Sequence, residues 1–161
     1  MRRFLASCLA VLAWGARAAD IPSVERAILE GTNRFRHEQG VGVVRPDSML
    51  DRTARDFAEY LARTDRFDHE ADGRTPAIRA RAHGYDYCLV AENIAYQFDS
   101  RGFTTPALAR GLIQGWKDSP GHRRNMLDAR AVDTGVAVAQ SAHSGRFYAV
   151  QMFGRRRAAC R

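Results

Sequence analysis

Lysine is nearly absent from this chain: Lys117 stands alone, and arginine supplies the rest of the 25 basic residues, set against 18 acidic ones. These charges alternate in sign along the helical segments and do not gather into a stripe, which argues for solvated faces and against a nucleic-acid surface. Cysteine is also scarce, three in 161 residues, too few for a disulfide-dense scaffold. No apolar run is long enough to cross a bilayer as a mature helix, since the longest reaches only from Phe4 to Trp14. Internal repeats, low-complexity tracts and glycine-rich phosphate loops are missing. So are the familiar hydrolase signatures. No Gly-x-Ser-x-Gly elbow occurs, and His37-Glu38 and His69-Glu70 are followed by Val41 and Gly73 where a zinc protease needs its second histidine.

What remains has the length and the 45% hydrophobic content of one ordinary globular domain. The first eighteen residues differ from the rest. Arg2 and Arg3 precede the apolar run, and Ala16-Arg17-Ala18 is a small-x-small cleavage pattern, so residues 1–18 read as a secretory signal peptide and 19–161 as the single mature domain, secreted or periplasmic. Leu5-Ala6-Ser7-Cys8 resembles a lipoprotein box, but only four residues separate Cys8 from Arg3, too few for the apolar region of such a signal. Without Arg2, Arg3 and Arg17 the chain keeps 22 of its basic residues against 18 acidic, a mild excess of four. Cys88 and Cys160 then remain as a candidate disulfide, whose long loop is worth about 4 kcal/mol in the chain-entropy model. A nucleophilic Cys88 is disfavoured, because it lies beside Leu89 and Val90 with only His83 nearby in sequence.

Along the chain, Val24, Ala27, Ile28, Gly31 and Phe35 fall at helical spacing and predict a helix over Pro22 to Gln39, with Ser23 as its cap and Gly40 as its stop. Val41 to Val44 reads as an extended link running into an Arg45-Pro46-Asp47 turn. A second helix spans about Ser48 to Asp65, with Leu50, Ala54, Phe57, Ala58 and Leu61 on one stripe. Phe67 to Gly73 is a polar loop, and Thr75-Pro76 opens a short third helix ending near Ala82. The apolar run Leu89 to Ala95 contains Glu92 and Asn93, and a carboxylate there needs a partner if it is to be buried. Thr105-Pro106 starts a fourth helix carrying Leu108, Leu112, Ile113 and Trp116. It leads into Trp116 to Leu127, where Pro120-Gly121 predicts a reversal with His122 at its edge and Trp116 and Leu127 holding the flanks. Gly135 to Ala139 and Phe147 to Phe153 predict an antiparallel hairpin around Ser144-Gly145. Helices first and strands last favour an α+β arrangement. Arg155-Arg156-Arg157 reads as a solvated tail, and His37, His83 and His143 read as solvated residues.

Several blocks carry a resemblance: Asn33-x-x-Arg36, Phe67-x-His69, Asp72-Gly73-x-x-Pro76, Gly84-Tyr85, Ala91-Glu92-Asn93-Ile94-Ala95, Trp116-x-x-Ser119-Pro120-Gly121-His122-Arg123, Asn125-x-Leu127, Gly135-Val136 and Gln151-x-Phe153-Gly154. In this order and spacing they resemble the bacterial branch of the CAP superfamily (cysteine-rich secretory proteins, antigen 5, pathogenesis-related 1), from about Val24 to Gly154. The resemblance implies an α-β-α sandwich with a central antiparallel sheet between helical layers, and a cleft lined by two histidines and acidic residues that hold a divalent metal in several members. Carried over, His69, Glu92 and His122 are the metal set, with zinc as the first candidate. Asp118 and Ser119 fall near the family's optional fourth position, about one residue out of register, and Asn93 adjoins the site. Two imidazoles and a carboxylate suit zinc and leave a position open; the same three side chains also suit a hydrogen-bonded network without metal. The functions implied are a binding module for a divalent metal or for a small apolar, envelope or protein ligand, a metal-dependent, peptidase-like hydrolase of the cell envelope with Glu92 as general base, or a structural exported domain. A monomer without stable membrane insertion and without nucleic acid is expected.

Overall fold

The computed structural model describes residues 18–160. Cys8 and the signal-peptide reading over 1–18, except for Ala18, fall outside the described residues. Helix α1 (Ile21–Glu38) buries Val24, Ile28, Thr32, Phe35 and Arg36 along one face. Its cap is Asp20, not Ser23: the Asp20 carboxylate accepts from the Ser23 backbone N–H at 3.1 Å. Pro22, with no N–H to satisfy, fits inside the first turn and moves the helix start upstream.

Helix α2 (Ser48–Thr64) starts on Asp47, whose carboxylate accepts from the N–H groups of Met49 and Leu50, and ends on Asp65 in the left-handed region at φ 51°. The predicted stripe is buried throughout, joined by Thr53 and Ala62. Helix α3 (Pro76–Ala82) is capped by Thr75. Helix α4 (Thr105–Asp118) begins one residue earlier than its cap-proline pattern suggests. Thr104 sits at the cap position without a side-chain bond, and the Thr105 hydroxyl instead accepts from the Asp20 N–H at 2.8 Å, tying α4 to the head of α1. A short α5 (Pro120–Met126) follows.

Four strands form one sheet in the order β1-β3-β4-β2, with β1 at Arg45–Pro46, β2 at Tyr87–Gln97, β3 at Asp133–Gln140 and β4 at Phe147–Arg156. The hairpin of β3 and β4 is antiparallel as predicted, and β4 also pairs antiparallel with β2. Arg45-Pro46 corrects the expected turn. It is a two-residue strand parallel to Asp133 and Thr134, bracketed by Arg45 N–H to Val132 O and Asp47 N–H to Thr134 O, both 2.9 Å. Pro46 falls between the two ladder bonds, where no donor is needed, and on an edge, where proline is tolerated.

Strand β4 is buried from Phe147 to Gly154 because both faces of the sheet are covered. Phe147, Ala149 and Phe153 enter a core with α1, α4 and α5, while Tyr148, Val150 and Met152 enter a second core with α2 and α3. The result is an α+β sandwich of helices, sheet and helices. Gly135 lets α2 lie directly on β3, since a Cβ there would stand 2.1 Å from the Leu50 carbonyl carbon.

Beyond β1 the outer edge of β3 has no strand partner and is covered by side chains. Asp51 Oδ1 accepts from Val136 N–H at 3.2 Å, Glu25 Oε1 accepts from Val138 N–H at 2.8 Å, and Arg55 donates to Val138 O at 3.2 Å. A Glu25–Arg55 ion pair at 2.6 Å completes this cover, which protects the edge from further pairing. A groove of about 470 Å³ lies beside it, far along the sheet from β2.

Cys88 and Cys160 are joined in a disulfide. The arginine run before Cys160 is not a free tail. Arg155 and Arg156 close β4, Arg156 pairs with Asp47, and Arg157 pairs with Asp86 at 3.1 Å before a single 3-10 turn brings Cys160 back to β2. Among the described residues no helix is long and apolar enough to cross a membrane.

Candidate functional site

The apolar run around Glu92 is β2, the outer strand of the sheet, and strand alternation sends neighbouring side chains to opposite faces. Glu92 points with Val90 and Ile94 towards the layer of α2 and α3. Its side chain is 1% exposed, with Oε1 at 2.8 Å from His69 Nδ1 and Oε2 at 2.8 Å from Arg79 Nη2. The partner that a buried carboxylate requires is therefore chiefly Arg79, from α3.

Arg79 is itself 2% exposed. It also donates to Asp72 Oδ1 at 2.8 Å, to Arg74 O at 2.6 Å and to His69 O at 2.9 Å, and its guanidinium stands 3.5 Å from the centroid of the Phe57 ring. One side chain thus fixes the Phe67 to Gly73 loop, the carboxylate and the imidazole. Sequence reasoning gave Arg79 no role, because nothing local separates it from the exposed Arg81 two residues on.

His69, at 46% exposed, presents its ring to the open side with Nδ1 held by Glu92. His122 approaches from the other helical layer, its ring centroid 6.3 Å from that of His69 and the planes 52° apart. The expected Pro-Gly reversal is built differently. Ser119 takes an extended conformation (φ −86°, ψ 117°), as a residue before proline tends to, and breaks α4 from α5; Pro120 then opens α5, and His122 lies in its first turn. Trp116 and Met126 are the fully buried anchors, and Leu127 is only half-buried.

Asn93 points to the opposite face from Glu92. Its Nδ2 donates to His122 O at 3.1 Å, while Asn125 Nδ2 donates to Asn93 Oδ1 at 2.9 Å and to Glu92 O at 3.2 Å. These amides fasten α5 to β2 and so set where His122 stands. Asp118 is turned away, accepting from Gln114 Nε2 at 2.8 Å, and the half-buried Ser119 makes no cap bond. Neither shares a hydrogen bond with His69, Glu92 or His122. Among the described residues no three His, Cys, Asp or Glu side chains are grouped as a set able to hold a metal.

The two imidazoles have opposite electrostatics. The Glu92 hydrogen bond holds the His69 pKa above its ordinary value, whereas burial and the neighbouring His69 push that of His122 down. In an NMR titration of the metal-free protein, His69 is expected to titrate above about 6.5 and His122 below it. The signs for stability follow. The His69 contribution is complete below about 6.5 and is lost as pH rises through its folded pKa; the His122 contribution is present above about 6.5 and is lost as pH falls through its folded pKa. Two rings titrating together at the ordinary value would contradict this geometry.

The chain belongs to the cysteine-rich secretory protein family: residues 29–153 match the model of that family, the CAP domain. It is 27% identical over 138 residues to the uncharacterized protein YkwD of Bacillus subtilis, a match covering 85% of this chain and 49% of that protein, so the chain spans about half the length of that relative. The fold is shared with an outer surface protein from Borrelia burgdorferi, at a TM-score of 0.75 and 17% identity over 89% of this chain and 100% of the other. It is shared as well with an extracellular SCP-domain protein from Bacillus anthracis, at a TM-score of 0.72 and 24% identity over 84% of this chain and 41% of the other.

Proposed function

We propose that this CAP domain is a binding module acting outside the cytoplasm, with the His69–His122 corner as its recognition centre and a divalent cation, zinc first, among its ligands. The observation that carries this reading is the support behind one imidazole: a buried Glu92–Arg79 pair holds His69 while leaving the ring half-exposed beside His122. A protein gains little by building such a buried charge pair for stability alone. Glu92 fits this role as the carboxylate behind a ligand histidine, not as a ligand, because both its oxygens are already engaged. The donors offered to a cation are then the two imidazoles. To share one ion the two imidazoles, 6.3 Å apart between centroids, would have to draw closer together. When bound, the cation would act as a Lewis acid with positions open to an oxygen or nitrogen donor of a second ligand.

Binding is favoured over hydrolysis because a general base needs an oxygen within reach of the proton it takes, and Glu92 offers none to the open side. Calorimetric titration of Zn²⁺ into the metal-stripped protein tests the proposal. The parent should take up the ion, His69→Ala and His122→Ala should each lose it, and Glu92→Gln should weaken it about 10- to 100-fold. No uptake by the parent would leave only a hydrogen-bonded network. Turnover of a peptide or envelope substrate, abolished in a folded His122→Ala variant, would replace the binding reading with the hydrolase.

A further inference from the structure

The exposed aromatic residues of this domain are not scattered. Among the described residues the large exposed apolar side chains are Val43, Phe67, Ile78, Tyr96, Phe98 and Val132, and all three aromatic ones lie at one end of β2. Phe67 and Tyr96 meet edge to face, their centroids 5.0 Å apart and their planes at 85°, above the buried Tyr148 at 6.3 and 6.0 Å. They form the floor and wall of an open notch. Arg146 backs Tyr96 with its guanidinium 5.0 Å from the ring centroid, and the Phe98 ring lies against the β3–β4 turn, 3.5 Å from where a Cβ on Gly145 would stand.

This notch lies on the same side of the sheet as His69 and Glu92. Phe67 precedes His69 by two residues in the same loop, and Tyr96 projects from the same face of β2 as Glu92, four residues and so about 13 Å along the strand. We propose that the notch and the corner together form a binding groove for a saccharide chain, whose pyranose rings stack on Phe67 and Tyr96 while the hydroxyl groups reach the His69–His122 end. The inference rests on the reading of that corner as a recognition centre. Exposed aromatic faces carry negative charge density and attract the C–H face of a pyranose. Hydrogen-bonding groups that a sugar edge requires are supplied by Arg146 over the Tyr96 ring and by Asp68 and His69, which follow Phe67 in its loop. An acyl chain or sterol needs an enclosed apolar cavity to remove it from water, and these rings stand open and rimmed by polar groups. The base of the notch is held already, since Tyr148 donates to Asp65 at 3.0 Å and Ser144 and Ser141 donate to the same carboxylate, while Phe67 and Tyr96 pack on Tyr148 and on each other. Little ordering is left for the ligand to impose.

The test is calorimetric titration of the purified protein with tetra-N-acetylchitotetraose and with cellotetraose, alongside sedimentation with phosphatidylglycerol vesicles. Saturable binding of an oligosaccharide is expected, weakened about three- to tenfold in each of Phe67→Ala and Tyr96→Ala, restored in Phe67→Tyr and unchanged in Ile78→Ala, an exposed apolar residue outside the notch. Preference for the amino-sugar tetramer would assign the groove to an envelope glycan, and equal binding would assign it to the pyranose ring itself. Absence of saturable binding to either sugar, binding indifferent to both ring deletions, or vesicle binding lost in Phe67→Ala would overturn the proposal. Zn²⁺ uptake measured on the same ring variants separates the two readings, because it should stay at the parent level whether or not the sugar binds.

Discussion

Arg79→Ala is expected to lower the unfolding free energy by about 3–5 kcal/mol, the cost of leaving a buried charge without its partner. Glu92 is almost wholly buried, and in this variant its Oε2 would face the cavity left by the guanidinium. Asp72, the carbonyls of Arg74 and His69, and the face of Phe57 would lose their contact in the same step. Arg79→Lys should recover little, since one ammonium cannot reach partners that the planar guanidinium bridges on two sides. Urea unfolding with an unchanged m-value would measure the loss. In the same variants the His69 titration should spread or shift, because the carboxylate that holds its ring is no longer fixed. A fall of less than about 1 kcal/mol would mean that water or a relaxed loop replaces the guanidinium, contrary to the burial of that site.

Removing the disulfide should cost nearly as much. Cys88 and Cys160 are separated by 72 residues, and opening a loop of that length releases about 4 kcal/mol of chain entropy to the unfolded state. The Cys88→Ser/Cys160→Ser variant should therefore show a lower urea midpoint, and a reductant should shift the parent to match it. In the folded state the tail keeps other ties, Arg157 to Asp86 and Arg155 to the Ala159 carbonyl at 2.6 Å, so the native contacts of β4 should persist. An unchanged midpoint would show that the unfolded chain is already compact across this segment.

The parts of the fold readable from residue order are those whose pattern is contained in one segment. Leu50, Ala54, Phe57, Ala58 and Leu61 repeat at the helical period, and any packing consistent with that period buries them together. Gly135 to Ala139 and Phe147 to Phe153 are joined by a short turn, so their pairing costs little loop entropy. The caps were harder. Thr105 precedes a proline as a cap residue does and Ser23 follows one, yet which oxygen reaches which N–H depends on where the neighbouring chain arrives, and the Thr105 hydroxyl serves Asp20 instead. Strand β1 was illegible for a similar reason. A two-residue segment containing Pro46 has no period of its own and becomes a strand only because Asp133 and Thr134 lie next to it.

At the candidate site, His69, Glu92 and His122 stand out in the sequence because their motifs do, and the fold brings them to one edge of β2 from three separate elements. Arg79 and Asn125 carry no comparable local signal. Their weight comes from partners that lie 13 and 32 residues away. The same holds for the aromatic notch, where Phe67, Tyr96 and Phe98 resemble ordinary core residues until the fold leaves them exposed together.

Covalent neighbourhood and side-chain chemistry were enough to decide the helical stripes, the hairpin and the family, because each is encoded over a few consecutive residues or by motifs in order. The folded arrangement alone decided that Glu92 stands buried between the Arg79 guanidinium and the His69 imidazole. A carboxylate acquires its role from whichever groups surround it once water has been removed, and that surrounding is assembled from distant parts of the chain.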